Sequence, residues 1–130
     1  MMTEAAVEVA IRTAIMDYVE GWYESDVERM NRCLHPRLAK RTLRLQKDGG
    51  EPKFIDLTKD DMMGYTQAGE GLEAPRDKLY YKIDILDVYQ ETATARAETY
   101  EFIDYVQLVK QNGRWLIVNV LYTANHAAKK

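Results

Sequence analysis

Residues 93–123 read ATARAETYEFIDYVQLVKQNGRWLIVNVLYT, and they decide the fold class. Over 93–102, small residues (Ala93, Ala95, Ala97, Thr99) alternate with larger or polar ones (Thr94, Arg96, Glu98, Tyr100), the two-residue period of a strand. A second strand is expected over 104–110 and a third over 114–123. Asn112-Gly113 between them is the strongest hairpin signal in the chain, because both turn positions tolerate positive φ. Another strand, 79–89, carries Ile83, Ile85 and Leu86. Consecutive strands joined by short turns make an antiparallel meander.

Upstream the period changes. Over 4–23, Val7, Ile11, Ala14, Ile15, Tyr18, Val19 and Trp22 recur at three- and four-residue steps and share one helix face. Ser25 with Glu28 has the spacing of a capping box opening a second, shorter helix through about Cys33, which buries Val27, Met30 and Leu34. Pro36 disfavours helix at His35. A strand is expected over 38–47 with Leu43 and Leu45 on one side, then a turn at Asp48-Gly49-Gly50 and a short strand over 53–57. Thr58 with Asp61 opens a third helix carrying Met62, Met63 and Tyr65. Residues 68–77 form a loop. Its Gly69-Glu70-Gly71 lacks the third glycine, the preceding strand and the following helix of a phosphate loop. Helices first and strands later argue for α+β, with helices on one face of a curved sheet.

The chain has 130 residues, 46% of them hydrophobic and 30% charged. That is the profile of one globular domain, expected over 1–126 with a short tail at 127–130. A lone cysteine excludes an internal disulfide framework and suits a reducing, cytoplasmic setting. No apolar run approaches the roughly 18 residues of a membrane span, and the N-terminus lacks the pattern of a signal peptide. The net charge is −3, which argues against a general nucleic-acid binder. Yet residues 29–47 hold seven basic side chains and no acid. Most of these solvate a helix and a strand; one or two, Arg41 among them, are candidates to face an anionic ligand.

Nine tyrosines and two tryptophans suit a pocket for a flat, partly apolar molecule, although large residues also simply fill cores. The candidate lining residues are Tyr18, Trp22, Met30, Met63, Tyr65, Tyr81, Tyr100 and Tyr122. Asn119, mid-strand on the face of Trp115, Ile117 and Leu121, must bond to neighbours or to a ligand if buried. Cys33 and His35 have no further ligands at metal spacing, so no metal is expected. His126 stands at the expected C-terminal edge of the domain, beside the tail, and is expected to be inert.

The order helix, helix, hairpin, helix, long strands resembles the nuclear-transport-factor-2-like, or cystatin-like cone, superfamily. Two sets of residues carry the likeness: Tyr18-x-x-x-Trp22 with Asp26, Met30 and Leu34-His35-Pro36; and Asp104-Tyr105-x-x-Leu108-x-Lys110 with Gly113-x-Trp115-x-Ile117-Val118-Asn119 and Tyr122. They resemble the branch called the putative lumazine-binding family, alongside SnoaL-like proteins. The resemblance implies a mostly antiparallel sheet bent around the long N-terminal helix and two shorter ones, enclosing a pocket. It implies His35 near the pocket mouth as a candidate general base, and Asp104 as a pocket acid or base by similarity to ketosteroid isomerases and SnoaL-like cyclases. Strand parity puts Asp104 with Val106 and Leu108, and Tyr105 with Gln107 and Val109; either face is compatible with the cavity. The expected function is small-molecule binding without a cofactor, with a proton-transfer enzyme acting on a flat ketone as the alternative. The resemblance also implies a homodimer formed through the outer sheet face, in keeping with apolar or aromatic residues on both faces of strands 93–102 and 114–122.

Overall fold

The computed structural model describes residues 3–127. Residues 128–130 of the expected tail lie outside that range. The chain runs through α1 (Glu4–Glu24), α2 (Val27–Cys33), β1 (Leu34–Arg44), β2 (Lys53–Leu57), α3 (Lys59–Gln67), β3 (Tyr81–Tyr89), β4 (Thr92–Thr99), β5 (Phe102–Gln111) and β6 (Arg114–Ala124). Two 3-10 turns, Glu70–Glu73 and Arg76–Lys78, occupy the stretch read as loop. The sheet order is β2-β1-β6-β5-β4-β3; β1 and β6 are parallel, and the other pairs are antiparallel. No helix among the described residues is long and apolar enough to cross a membrane.

The long helix forms where its apolar period falls. Thr3 caps its start by accepting from the Ala6 amide at 3.1 Å. Ile11, Ile15, Tyr18 and Val19 are buried in one core with Ala93, Ala95 and Ala97 of β4, and α1 lies nearest to β6 and β3 on the inner sheet face. The expected Ser25–Glu28 box does not form; the N-cap of α2 lies one residue further on. Ser25 is left-handed (φ 55°) and closes α1, its hydroxyl donating to the Thr66 carbonyl at 2.6 Å. Asp26 has the extended backbone an N-cap needs, and its carboxylate accepts from the Arg29 amide at 3.1 Å. The Thr58–Asp61 box forms as read.

Two irregularities set which side chains point inward. β1 begins at Leu34 rather than residue 38, and its pairing with β6 shifts between Leu34 and Ala39. Pro36, which has no amide hydrogen to donate, falls inside that irregular stretch. In β6, Asn119 pairs with Gln107 while Ile117 pairs with Leu108, so Val118 is an extra residue. Such a bulge bends the strand and reverses its parity. The strand ends at Arg44 rather than residue 47, so of Leu43 and Leu45, expected to share a face of β1, only Leu43 lies in it, and both are exposed.

Helix α2 clamps α1 through two arginines. Asp17, on a buried part of α1, accepts from Arg29 Nε at 2.9 Å and from Arg32 at 2.9 and 2.8 Å. Burial alone would raise the carboxyl pKa; the bonds from Arg32 and Arg29 outweigh it and lower the pKa.

Candidate functional site

A cavity of about 820 Å³ opens between α1, the inner sheet face and α3. Ligand sites commonly span roughly 300–1,000 Å³, so this one has room for a molecule of several rings. Trp22, Tyr122 and Phe102 line its walls, with Val19 and Met62 as apolar neighbours; Tyr65 is at the rim. Phe102 and Tyr122 meet edge to face with ring centroids 5.6 Å apart. Arg44, Lys47, Glu70 and His126 also border the opening, all exposed.

Three polar side chains from three elements meet at the buried end. Lys40 of β1 is 9% exposed, Tyr18 of α1 4% and Asp104 of β5 7%. Lys40 Nζ donates to the Tyr18 hydroxyl at 2.5 Å, and that hydroxyl donates to Asp104 Oδ2 at 2.6 Å. Nζ also lies 4.9 Å from the ring centre of Tyr18, 4.7 Å from Tyr122 and 5.9 Å from Trp22.

Burial moves each group toward its neutral form. It raises the Asp104 carboxyl, against the Lys40 charge and the Tyr18 bond. It lowers the Lys40 amine, against Asp104. Burial and then the Asp104 charge raise the Tyr18 phenol well above its ordinary value. Burying an ion costs several kcal/mol, while a cation over a ring recovers about 0.5–2 kcal/mol. An apolar trio of the same volume would serve the fold at least as well, so stability alone does not account for this cluster.

Local parity explains the placements. Leu38, Lys40 and Thr42 alternate inward along β1, so Arg41 points outward. Its guanidinium pairs with Asp56 at 2.8 Å on the exposed face, which corrects its expected place at the ligand. Lys40, in the sequence one member of the basic stretch, is discoverable from its even spacing from Leu38. Asp104 shares the buried face of Val106 and Leu108, while Tyr105 faces out.

Tyr18, Trp22, Tyr65, Tyr122 and Asp104 line the cavity. The other candidates do not. Asn119 is turned outward by the Val118 bulge and donates to the Gln107 side chain at 3.1 Å. His35 follows the inward-facing Leu34 and therefore points away: its Nε2 pairs with the Gln111 side-chain oxygen at 2.8 Å, and its Nδ1 accepts from the Arg37 amide at 3.0 Å. Met30 is fully buried in the core. Met63 packs partly buried against the core, while Met62 beside it reaches the cavity. Tyr81 stacks on Tyr23 at 5.9 Å, and Tyr100 lies in the β4–β5 turn beneath Lys78 Nζ at 6.0 Å. His126, expected to be inert at the edge of the domain, is at the cavity mouth.

Among the described residues, no group of three or more His, Cys, Asp and Glu could hold a metal ion. Burial pushes the Cys33 thiol up to about 12, which makes it a poor nucleophile. The indole N–H of Trp22 is buried without a hydrogen-bond partner, an uncommitted donor on a residue of the cavity wall.

No curated protein matches the chain. Solved structures share its fold. An NTF-2 like protein of unknown function from Silicibacter pomeroyi superposes with a TM-score of 0.77 at 17% identity, covering 95% of this chain and 100% of the other. One from Shewanella baltica gives 0.74 at 19% identity, covering 98% and 100%. A ketosteroid isomerase-like protein from Erwinia carotovora gives 0.62 at 13% identity, covering 89% and 94%. The fold is thus the nuclear-transport-factor-2-like cone. The family model described as "Putative lumazine-binding" matches residues 6–123, nearly the whole chain, and the protein belongs to that family.

Proposed function

We propose that the protein is a cytoplasmic small-molecule-binding protein whose cavity takes a flat, partly apolar ligand. The observation that carries this reading is the Lys40–Tyr18–Asp104 cluster, buried at one end of an aromatic-walled cavity that opens to solvent. Aromatic faces suit a planar molecule, and a few convergent polar groups fix its orientation. Lys40 donates, and the Asp104 carboxyl accepts or, when protonated, donates. The family description points the same way, toward a small-molecule ligand.

Native mass spectrometry of the purified protein, followed by thermal shift against flat heteroaromatics and aromatic ketones, tests this. Retained mass of a few hundred daltons, or a raised melting temperature that Tyr122→Ala abolishes, is the expected result. A bare polypeptide that no compound stabilises would remove the binding reading.

A second reading is favoured by the position of Asp104, a carboxyl in apolar surroundings at the cavity's inner end. Such a group removes a proton from the carbon beside a ketone, and a phenol or ammonium stabilises the enolate. The Erwinia carotovora protein of this fold is described as ketosteroid isomerase-like, which is consistent with this chemistry. His35 has no part in it. Deuterium exchange at that carbon, followed by NMR, tests it: exchange that persists in Asp104→Asn would sink the role of Asp104.

The outer sheet face supports a homodimer. Tyr105 pairs with Leu121, which lies beside Arg41, and Leu43 pairs with Phe54. Tyr105 is 47% exposed, Leu121 55%, Leu43 53% and Phe54 60%. Apolar side chains exposed side by side on one sheet face are the usual mark of a protein–protein contact.

A further inference from the structure

We propose that Lys40 is a nucleophile that captures the carbonyl carbon of a flat, conjugated aldehyde or ketone as a reversible imine inside the cavity. This rests on the cavity reading above and adds a covalent step to it.

The geometry supplies what imine formation needs. Lys40 lines the cavity, and its Nζ sits 2.5 Å from the Tyr18 hydroxyl, which sits 2.6 Å from Asp104 Oδ2. That is an unbroken hydrogen-bonded path from an amine to a carboxyl. The rings of Tyr122, Tyr18 and Trp22 lie 4.7, 4.9 and 5.9 Å from Nζ, so a planar carbonyl compound has aromatic faces to rest on beside it. The same rings, with Asp104 as counter-ion, suit the cationic iminium that follows. Burial favours the free amine over the ammonium. Lys59 is also partly buried, but its Nζ is tied to the carbonyls of Asn31 and Leu34 at 3.0 and 2.9 Å, away from the cavity.

The step balances without a redox partner. The Lys40 ammonium passes one proton through the Tyr18 hydroxyl to Asp104. The freed lone pair forms the C–N bond as the carbonyl π pair moves to oxygen, which takes the proton held by Asp104. The nitrogen then gives a second proton to Asp104 along the same path. The carbinol oxygen leaves as water, carrying that proton, and the nitrogen lone pair forms the C=N bond. One carbonyl and one ammonium become one iminium and one water.

The test treats the intact protein at pH 7 with 2-naphthaldehyde and sodium cyanoborohydride, which reduces an imine to a stable amine. Intact mass and peptide mapping locate the adduct. Calorimetry with 2-naphthalenemethanol, which cannot form an imine, measures binding separately. The expected result is one adduct per chain, on Lys40, formed at least about tenfold faster than on any other lysine, because the cavity holds the aldehyde beside this amine. Tyr18→Phe, which breaks the proton path, slows that labelling. The wild-type map decides the matter even if this variant folds poorly. If the alcohol binds while adducts are confined to exposed lysines or the N-terminus, the imine inference is overturned and the cavity reading survives. If the alcohol does not bind and Lys40 is unlabelled, the cavity reading falls and the inference falls with it.

Discussion

The hydroxyl of Tyr18 and the carboxylate of Asp104 lie 86 residues apart in sequence and 2.6 Å apart in space. This contact ties the central helix to the middle of the sheet at the inner end of the cavity. Tyr18 also accepts from Lys40, so one hydroxyl serves two buried groups.

Removing it leaves both without their partner. Tyr18→Phe is expected to cost about 1–3 kcal/mol, the desolvation penalty of buried groups left unpaired. Urea unfolding measures it. A loss below about 0.5 kcal/mol would mean that the cluster re-pairs without the hydroxyl.

Lys40 and Arg41 are neighbours with opposite fates. Lys40→Met is expected to abolish binding of a cavity ligand, with its cost to stability limited because Asp104 can take up a proton. Arg41→Met removes only an exposed pair with Asp56. Its effect on stability is expected to stay within about 0.5 kcal/mol. Equal effects of the two on ligand affinity would contradict the assigned faces.

Asp17 and Asp104 give opposite slopes of stability with pH. The Asp17 carboxyl is lowered by Arg32 and Arg29 against burial, so its contribution is present above 3.8 and lost as pH falls through the lowered value. Asp104 is raised by burial against Lys40 and Tyr18, so the native state holds a proton that the unfolded chain releases near 3.8. Its contribution is present below 3.8 and is lost as pH rises through the raised value. Melting temperature against pH should therefore fall less on acidification in Asp17→Asn, and fall less on alkalinisation through the raised value in Asp104→Asn, than in wild type. Parallel curves for all three would refute both assignments.

Two glycines differ in what they can tolerate. A Cβ on Gly71 would overlap the Trp22 carbonyl oxygen, so Gly71→Ala must push the 3-10 turn off α1 and loosen a cavity wall. A loss of more than about 2 kcal/mol is expected, in the range of overpacking. Gly64, inside α3, has nothing within 4 Å of the corresponding position. Gly64→Ala should stabilise by about 0.5–1 kcal/mol through helix propensity. Thermal melts distinguish them.

If the outer sheet face pairs two chains, Leu121→Asp places a charge in that face and yields monomers. Sedimentation velocity is the measurement. A wild-type monomer at micromolar concentration would rule out the dimer.

The elements are legible in the sequence because their causes are local. The period of 4–23, the Asn112-Gly113 turn and the Thr58–Asp61 box each need only residues within a few positions. The boundary at Ser25 is not, because two capping residues stand side by side, and only the left-handed φ at Ser25 assigns the N-cap to Asp26. Tyr18 and Asp104 are legible as polar groups in apolar patterns; their contact is not.

The amino-acid sequence by itself determined the helix-then-strand order, the curved α+β class and the aromatic stock of the cavity, set by short-range periodicity and composition, while its motif residues carried the family resemblance. Tertiary structure alone decided which side chains face inward. The added residue at Val118 and the irregular start of β1 are small in sequence, but a strand alternates faces at every residue. One extra residue therefore turned Asn119 outward, and one position of parity separated buried Lys40 from exposed Arg41.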